Sequence, residues 1–164
     1  MSDHIGRLAR KYKDKGVLLD TNLLLLFVIG SYRRDIISEF KRTAQYTLAD
    51  FELVVKILKF FRTKLTTPNI LTEVDNLARQ LPKNQYAAVS KTLKGIIENT
   101  FEKYVSSAEA SRSDVYAALG LTDTITHDYP DEILVITDDF ELYNRLGSKN
   151  RDAININHIR EFRS

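Results

Sequence analysis

The feature that most constrains this chain is an apolar run over residues 16–28, which Asp20-Thr21-Asn22 interrupts at its centre. The first part, opened by Gly16 and rich in Val and Leu, is typical of a buried strand in a parallel sheet. Asp20 then stands at the carboxyl end of that strand, where open α/β sheets form their ligand crevices. Burying a bare carboxylate is costly, so the sequence predicts a compensating partner there. The simpler alternative is that Asp20 or Asn22 only caps the following helix.

A second stretch near the other end of the chain repeats this design. Residues 133–137 are a β-branched apolar run ending in Thr137, and Asp138 and Asp139 precede a helical pattern over residues 140–146. If the two strands are neighbours, about 4.8 Å apart, their terminal carboxylates converge. Negative charges at such a short distance from each other favour a bound cation.

Two further acids stand in helical contexts. Glu73 falls within the core-facing stripe that Ile70, Val74 and Leu77 predict, although a position at the edge of the stripe, reaching water, is an alternative. Asp123 follows a glycine turn, where capping the next helix is its plainest role. Neither acid would identify a site by itself.

Composition predicts a single domain over residues 1–164, because 43% hydrophobic and 28% charged residues are ordinary for one globular core. The absence of cysteine excludes disulfides, thiolate nucleophiles and thiolate zinc sites, and it favours a reducing, cytoplasmic location. The longest apolar stretch, residues 23–29, is far short of the ~20 residues that span a bilayer. We therefore expect no membrane partner and no targeting segment.

The formal net charge is +2, and the surface is more basic than that if five of the acids share one pocket. A basic surface suits a polyanion such as RNA. Each cluster of basic residues is also explained as a solvated helix face. The candidates for RNA-backbone contacts are Arg10, Lys11, Lys13, Arg33 and Arg34.

The remaining pattern predicts an α/β fold rich in helices. The expected elements are a basic helix or arm over residues 4–13, a short helix over 35–43, an apolar helix begun by Thr47 and Asp50, a helix begun by Thr67 and Pro68, a long helix from Asn84 to Tyr104, and an edge strand over 152–156.

Taken together, these stretches resemble the PIN-domain family of metal-dependent nucleases. The similar segments occur in the order of the family's four acidic motifs: residues 18–22, 67–74, 120–123 and 135–139. The fourth family motif is Thr, any residue, Asp, so the resemblance makes Asp139 the fourth acid and Asp138 its neighbour. The reverse assignment stays open. Four acids in order, each in its expected context, are a fairly specific signal.

The resemblance implies a three-layer α/β/α fold with a short central parallel sheet. It implies a metal-dependent endoribonuclease that hydrolyses phosphodiester bonds of single-stranded RNA, as in the toxin of a toxin–antitoxin pair, with an antitoxin protein or a second copy as candidate partners. The implied catalytic acids are Asp20, Glu73, Asp123 and Asp139. With Asp138 they would hold Mg²⁺ or Mn²⁺, the ions that oxygen ligands suit. Thr21, Asn22 and Thr137 would orient the carboxylates.

Two other interpretations remain. The first is a PIN-like fold kept as a catalytically silent nucleic-acid-binding or protein-docking module, although the presence of all the acids argues for activity. The second is a phosphoryl-transfer enzyme with an aspartyl nucleophile, which is less favoured because Asp20-Thr21-Asn22 lacks a second Asp two positions on. No Walker-type phosphate loop or Gly-x-Ser-x-Gly elbow is present.

Overall fold

A five-stranded, all-parallel sheet forms the centre of the computed structural model, which describes residues 2–129 and 131–160. The strands are β1 (Val17–Leu19), β2 (Lys64–Thr66), β3 (Phe101–Glu102), β4 (Leu134–Thr137) and β5 (Ala153–Asn155). Their order is β3-β2-β1-β4-β5, so β1 is central and pairs with β2 on one side and β4 on the other.

Helices surround this sheet and make the three-layer α/β/α fold that the sequence predicts. They are α1 (Ser2–Tyr12), α2 (Thr21–Tyr32), α3 (Leu48–Phe60), α4 (Pro68–Ala78), α5 (Lys83–Glu98), α6 (Ser107–Ala110), α7 (Tyr116–His127), α8 (Phe140–Ser148) and α9 (Ile156–Arg160). Helix α2 packs against α3, α4 and α5, while α7 packs against α6 and α8. Within the described residues, no helix combines the length and apolarity needed to cross a bilayer.

Strand β1 is buried along its whole length, as expected of a strand with helices on both faces. Val17, Leu18 and Leu19 are each less than 5% exposed. The register pairs Leu19 with Ile136 of β4, so the two strands end level with each other. Every polar side chain that these strands contribute to function must therefore lie at their ends.

The predicted helix starts at Thr47 and Thr67 are confirmed. Thr47 and Asp50 form a reciprocal capping box, with the Thr47 backbone N–H donating to the Asp50 carboxylate at 2.8 Å. The Thr67 hydroxyl accepts from the Ile70 N–H at 3.2 Å, and Pro68 occupies the first helical turn. This second cap fixes α4, the helix that carries Glu73.

The predicted helix over residues 35–43 is wrong. Only a 3₁₀ helix forms, over Asp35–Ile37, and turns follow it. The Thr43 hydroxyl donates to the Ile37 carbonyl at 2.8 Å, and the Ser38 hydroxyl donates to the Asp35 carbonyl at 3.4 Å. These side chains bond to backbone carbonyls that a helix would have used, which explains why the apolar spacing was misleading.

The predicted helix from Asn84 to Tyr104 also ends early, at Glu98. The Asn99 side-chain amide donates to the Gly95 carbonyl at 2.8 Å, and the Thr100 hydroxyl donates to the Ile96 carbonyl at 2.6 Å, both in the last turn of α5. The chain can then extend as β3, which pairs with β2. Strand β3 was not predicted, because an edge strand of two residues carries no periodic pattern.

Gly16 connects α1 to β1 and gives the first testable prediction. Its φ is +128°, and a Cβ here would lie 2.2 Å from a methyl of the buried Leu65 and 3.3 Å from the Thr63 carbonyl. We expect Gly16→Ala to lower the free energy of unfolding by about 2–3 kcal/mol, measured by urea denaturation.

The matched control is Gly147→Ala in α8, where a Cβ meets nothing within 4 Å. There the added helix propensity should raise stability by up to about 1 kcal/mol. Equal stabilities of the two variants would contradict the strained turn at Gly16.

Candidate functional site

The strand order brings the acids that follow β1 and β4 together. Asp20 is the first residue after β1, and Asp138 and Asp139 come directly after β4. The Asp20 N–H donates to the Ile136 carbonyl at 3.0 Å, so the pairing extends past the end of β1. The two strands are neighbours, which is the condition under which the sequence predicts that their carboxylates converge.

Asp20 is buried and satisfied by three hydrogen bonds. Its Oδ1 accepts from the Leu23 N–H at 2.9 Å, so Asp20 does cap α2 as the simpler alternative held. Its Oδ2 accepts from the Thr137 hydroxyl and from the Asp138 N–H, the latter at 3.0 Å. Burial nevertheless raises the pKa of Asp20 to about 8, and the nearby charge of Asp138 adds to that rise.

Asp138 and Asp139 play different parts. The Asp138 carboxylate accepts from the Asn22 amide at 3.2 Å and from the Tyr46 hydroxyl, and it faces Asp20. Asp139 is exposed and caps α8, with Oδ1 accepting from the Leu142 N–H at 2.8 Å. Both acids raise the pKa of Asp123, so the structure brings both to the site.

Glu73 lies at the exposed edge of α4, not inside its buried stripe. Ile70 and Val74 are fully buried, whereas Glu73 is exposed. Its carboxylate is nevertheless held from two sides, by the Thr21 hydroxyl at 2.9 Å and the Thr122 hydroxyl at 2.6 Å. The alternative of a water-reaching Glu is therefore right about exposure, while Glu73 also ties α4 to α2 and α7.

Asp123 lies inside α7, just after the break at Gly120, whose φ is +73°. Its side chain makes no hydrogen bond with any described residue, so the alternative that Asp123 only caps a helix is wrong. Burial raises the pKa of Asp123 to about 7, and the charges of Asp139, Glu73 and Asp138 contribute in that order. Asp123 therefore lies within the electrostatic field of the other acids.

The five acids share one property, the lack of a cationic partner within residues 2–129 and 131–160. Among the described residues, no Lys, Arg or His forms an ion pair with Asp20, Glu73, Asp123, Asp138 or Asp139. Several acids elsewhere are paired, as in Asp50, which accepts from Arg160 at 2.8 Å. We call the five acids the acidic cluster.

The donor chemistry of the acidic cluster fits a divalent cation, since hard oxygen ligands suit Mg²⁺ or Mn²⁺. The side-chain arrangement does not yet fit: in the described part of the chain, no three acidic or histidine side chains are placed to ligate one ion. The carboxylates of Asp20, Glu73 and Asp138 instead accept hydrogen bonds from Leu23, Thr122 and Tyr46, in that order. Ligation of an ion by three carboxylates therefore requires rotation of some of these side chains.

The three residues predicted to orient carboxylates all contact them. Thr137 donates to Asp20, Thr21 to Glu73, and Asn22 to Asp138. The sequence reasoning missed four further contacts, made by Thr122 to Glu73, by Gln45 and Tyr46 to Asp138, and by the Asn157 amide to the Asp138 carbonyl. Thr122 could have been found as the neighbour of Asp123, but Tyr46 lies far from Asp138 in sequence and carries no local signal.

The residues predicted to bind the RNA backbone are not brought to the acidic cluster. Arg10, Lys11 and Lys13 lie at the end of α1 or between α1 and β1, at the amino edge of the sheet, whereas the acids lie at its carboxyl edge. Lys11 is already paired with Asp152, at 2.7 Å, just before β5.

Arg33 and Arg34 follow the 12 residues of α2, a helix about 18 Å long that begins beside Asp20. Arg33 makes two hydrogen bonds to Asp35, at 3.0 and 2.6 Å. The structure therefore gives no support to these five basic residues as backbone contacts beside the acids.

Comparison of the chain with family models, with curated proteins and with solved structures found no match. The resemblance to the PIN-domain family therefore stays a prediction from the motifs. The fold and the acidic cluster are the observations from which function must be argued.

The buried hydroxyl of Thr137 gives a test of how the acidic cluster is held. It donates to Asp20 Oδ2 and accepts from the Asp139 N–H at 2.9 Å. We expect Thr137→Val to lower the free energy of unfolding by about 2–3 kcal/mol, because the buried Asp20 carboxylate loses a donor and the Asp139 N–H loses its acceptor. The same change at Thr124, whose buried hydroxyl has no partner in the described structure, should be neutral or stabilising. If Thr137→Val and Thr124→Val lowered the free energy of unfolding equally, the hydrogen bonds of Thr137 would have no special role in stability.

The pH dependence of stability tests the electrostatics of Asp123. Because its pKa is raised in the folded state, the folded protein binds the proton more tightly than the unfolded chain, and stability falls as the pH rises from about 4 to about 7. In a chelator-containing buffer, Asp123→Asn should lose the part of this fall that Asp123 contributes, while the part due to the raised pKa of Asp20 remains. It should be more stable than the wild type at pH 8 by about 1–2 kcal/mol, after allowance for solvent screening. At pH 4 the two should be equal. The exposed Asp114→Asn is the control, and a wild-type-like pH profile for Asp123→Asn would refute the prediction.

Proposed function

We propose that this protein is a metal-dependent endoribonuclease of the PIN-domain type, which hydrolyses phosphodiester bonds of single-stranded RNA with Mg²⁺ or Mn²⁺ as cofactor. The observation that carries the proposal is the acidic cluster: five carboxylates at one edge of the sheet with no cationic partner among the described residues. Asp20 and Asp123 have raised pKa values, with burial as the first cause and neighbouring acids as the second. A bound cation would offset both the burial of these carboxylates and the repulsion between them.

In this proposal Asp20 and Asp139 hold the ion, and Glu73, Asp123 and Asp138 complete its surroundings. An ion held there would supply positive charge for the phosphoryl oxygens of the substrate. The chain's own contribution is orientation: Thr137 fixes Asp20 and the start of α8, Asn22 fixes Asp138, and Thr21 fixes Glu73.

The exposure of the acids supports a polymeric substrate. Glu73 and Asp139 are exposed and Asp123 is partly exposed, so the acidic cluster opens to solvent at the sheet edge. A phosphodiester within a chain can approach such an edge, whereas a site for a small metabolite usually encloses most of its ligand. Single-stranded RNA as the substrate, an antitoxin protein and a homodimer enter the proposal through the family resemblance.

The alternative is a catalytically silent module of the same fold. The observation that favours it is that Asp20 and Asp139 serve as helix caps while no three described acids are placed to ligate an ion. A silent module needs these carboxylates only for stability and binds no divalent ion at the acidic cluster. Metal binding therefore separates the two functions before any substrate is known.

The nuclease proposal predicts metal-dependent cleavage of end-labelled single-stranded RNA. With Mn²⁺ or Mg²⁺ the wild type should cut internally, and EDTA should abolish cutting. Asp20→Asn and Asp123→Asn should each lower the cleavage rate by at least about 100-fold, because each removes a charge that holds the ion. The exposed Asp114→Asn is the control and should cut like the wild type.

Calorimetric titration with Mn²⁺ makes the result independent of RNA choice. Saturable Mn²⁺ binding by the wild type that is lost in Asp123→Asn supports the metal site even if a particular RNA is not cut. Neither cleavage nor Mn²⁺ binding would overturn the proposal and favour the silent module.

A further inference from the structure

A second feature, separate from the acidic cluster, is a largely apolar cavity of about 300 Å³ on one face of the sheet. Its floor is formed by Val17 and Leu19 of β1 and by Lys64 and Thr66 of β2, and Phe27 of α2 contributes to its wall. The two residues from each strand are two positions apart, so they project from the same face. The volume is at the lower end of the range for small-molecule sites.

Thr66 gives the floor of the cavity an unsatisfied polar group. Thr66 is only 2% exposed, and its hydroxyl has no hydrogen-bond partner within the described structure. Buried hydroxyls in folded proteins are almost always paired, and an unpaired one calls for an explanation. The Thr66 oxygen is closed to solvent in this conformation, so a ligand with a hydrogen-bond acceptor would supply the missing partner after rotation of the Thr66 side chain.

The wall of the cavity includes Gly95, which has no side chain to fill the space beside it. It lies in the interior of α5 and lines the cavity, and a Cβ at this position would meet nothing within 4 Å. Glycine in a helix interior costs stability relative to alanine, and here no close contact requires it. The missing side chain leaves room in the cavity instead.

Lys64 gives the cavity a positive charge. It is partly buried on the sheet face that α2 and α5 cover, and it forms no ion pair among the described residues. Its Cα lies roughly 7 Å from that of Thr66 along the strand. An ammonium and a hydroxyl donor on one otherwise apolar floor are complementary to a carboxylate with an apolar tail.

We propose that this cavity binds a small amphipathic carboxylate. Its carboxylate accepts from Lys64 and from the Thr66 hydroxyl, and its aliphatic chain lies against Val17, Leu19 and Phe27. At roughly 30 Å³ per non-hydrogen atom, the cavity accommodates on the order of ten such atoms. Neither Lys64 nor Gly95 contacts the acidic cluster in the described structure, so the proposal does not depend on nuclease activity.

Octanoate, which has a suitable size, is the probe. Calorimetric titration of the full chain should give saturable binding with a Kd on the order of 0.1–1 mM. Octanol, which lacks the charge, should bind at least about fivefold more weakly. Lys64→Met should remove the preference for octanoate over octanol, and Thr66→Val should weaken octanoate binding about threefold to tenfold.

Gly95→Leu fills the cavity and should weaken octanoate binding at least about tenfold. Gly95→Ala, with one added methyl, controls for the change in helix propensity and should bind within about threefold of the wild type. Thermal unfolding by circular dichroism verifies that both variants fold. No saturable octanoate binding, equal affinity for octanol, or wild-type binding by folded Gly95→Leu would each overturn the proposal.

Discussion

The parallel pairing of β1 with β4 is the constraint on which the rest of the structure depends. Because β1 is buried on both faces, it accepts only apolar side chains, and polar function is confined to the ends of the strands. The level ends of β1 and β4 put Asp20 against Thr137 and Asp138. A register shift of a single residue would separate these groups and turn their side chains to other faces.

The two edges of the sheet differ in how their charges are compensated. At the amino edge, acids and bases are paired across the ends of elements, as in Lys15 with Glu132 at 2.6 Å and Lys11 with Asp152 at 2.7 Å. At the carboxyl edge, the acidic cluster is held by threonine hydroxyls, amides and backbone N–H groups, and no described cation joins it. Neutral donors orient carboxylates without cancelling their charge, which leaves the negative potential available to a cation.

Strand β1 serves two separate chemical environments. Val17 and Leu19 form part of the floor of the apolar cavity, while Asp20, the next residue, belongs to the acidic cluster. Thr66 and Thr67 are likewise adjacent in the chain. Thr66 lines the cavity with a hydroxyl that has no partner among the described residues, whereas Thr67 caps the helix that carries Glu73. Successive side chains of a strand point to opposite faces of the sheet, and a helix begins soon after each strand ends. These two features separate the two environments within a few residues.

The sequence by itself determined the buried strands, the caps at Thr47 and Thr67, and the pairing of Asp20 with the acids after β4, because these follow from local patterns of apolar and capping residues. It did not determine where α5 ends or that residues 35–43 form turns, since side chains such as Thr43 and Thr100 bond to backbone carbonyls that the apolar pattern does not reveal. Only the tertiary structure decided that Glu73 is exposed yet held by two threonines, that Tyr46 reaches Asp138, and that Lys11 lies at the opposite edge from the acids. The physical reason is that these relations join distant segments, and they are set by strand order and helix packing, which local sequence patterns do not encode.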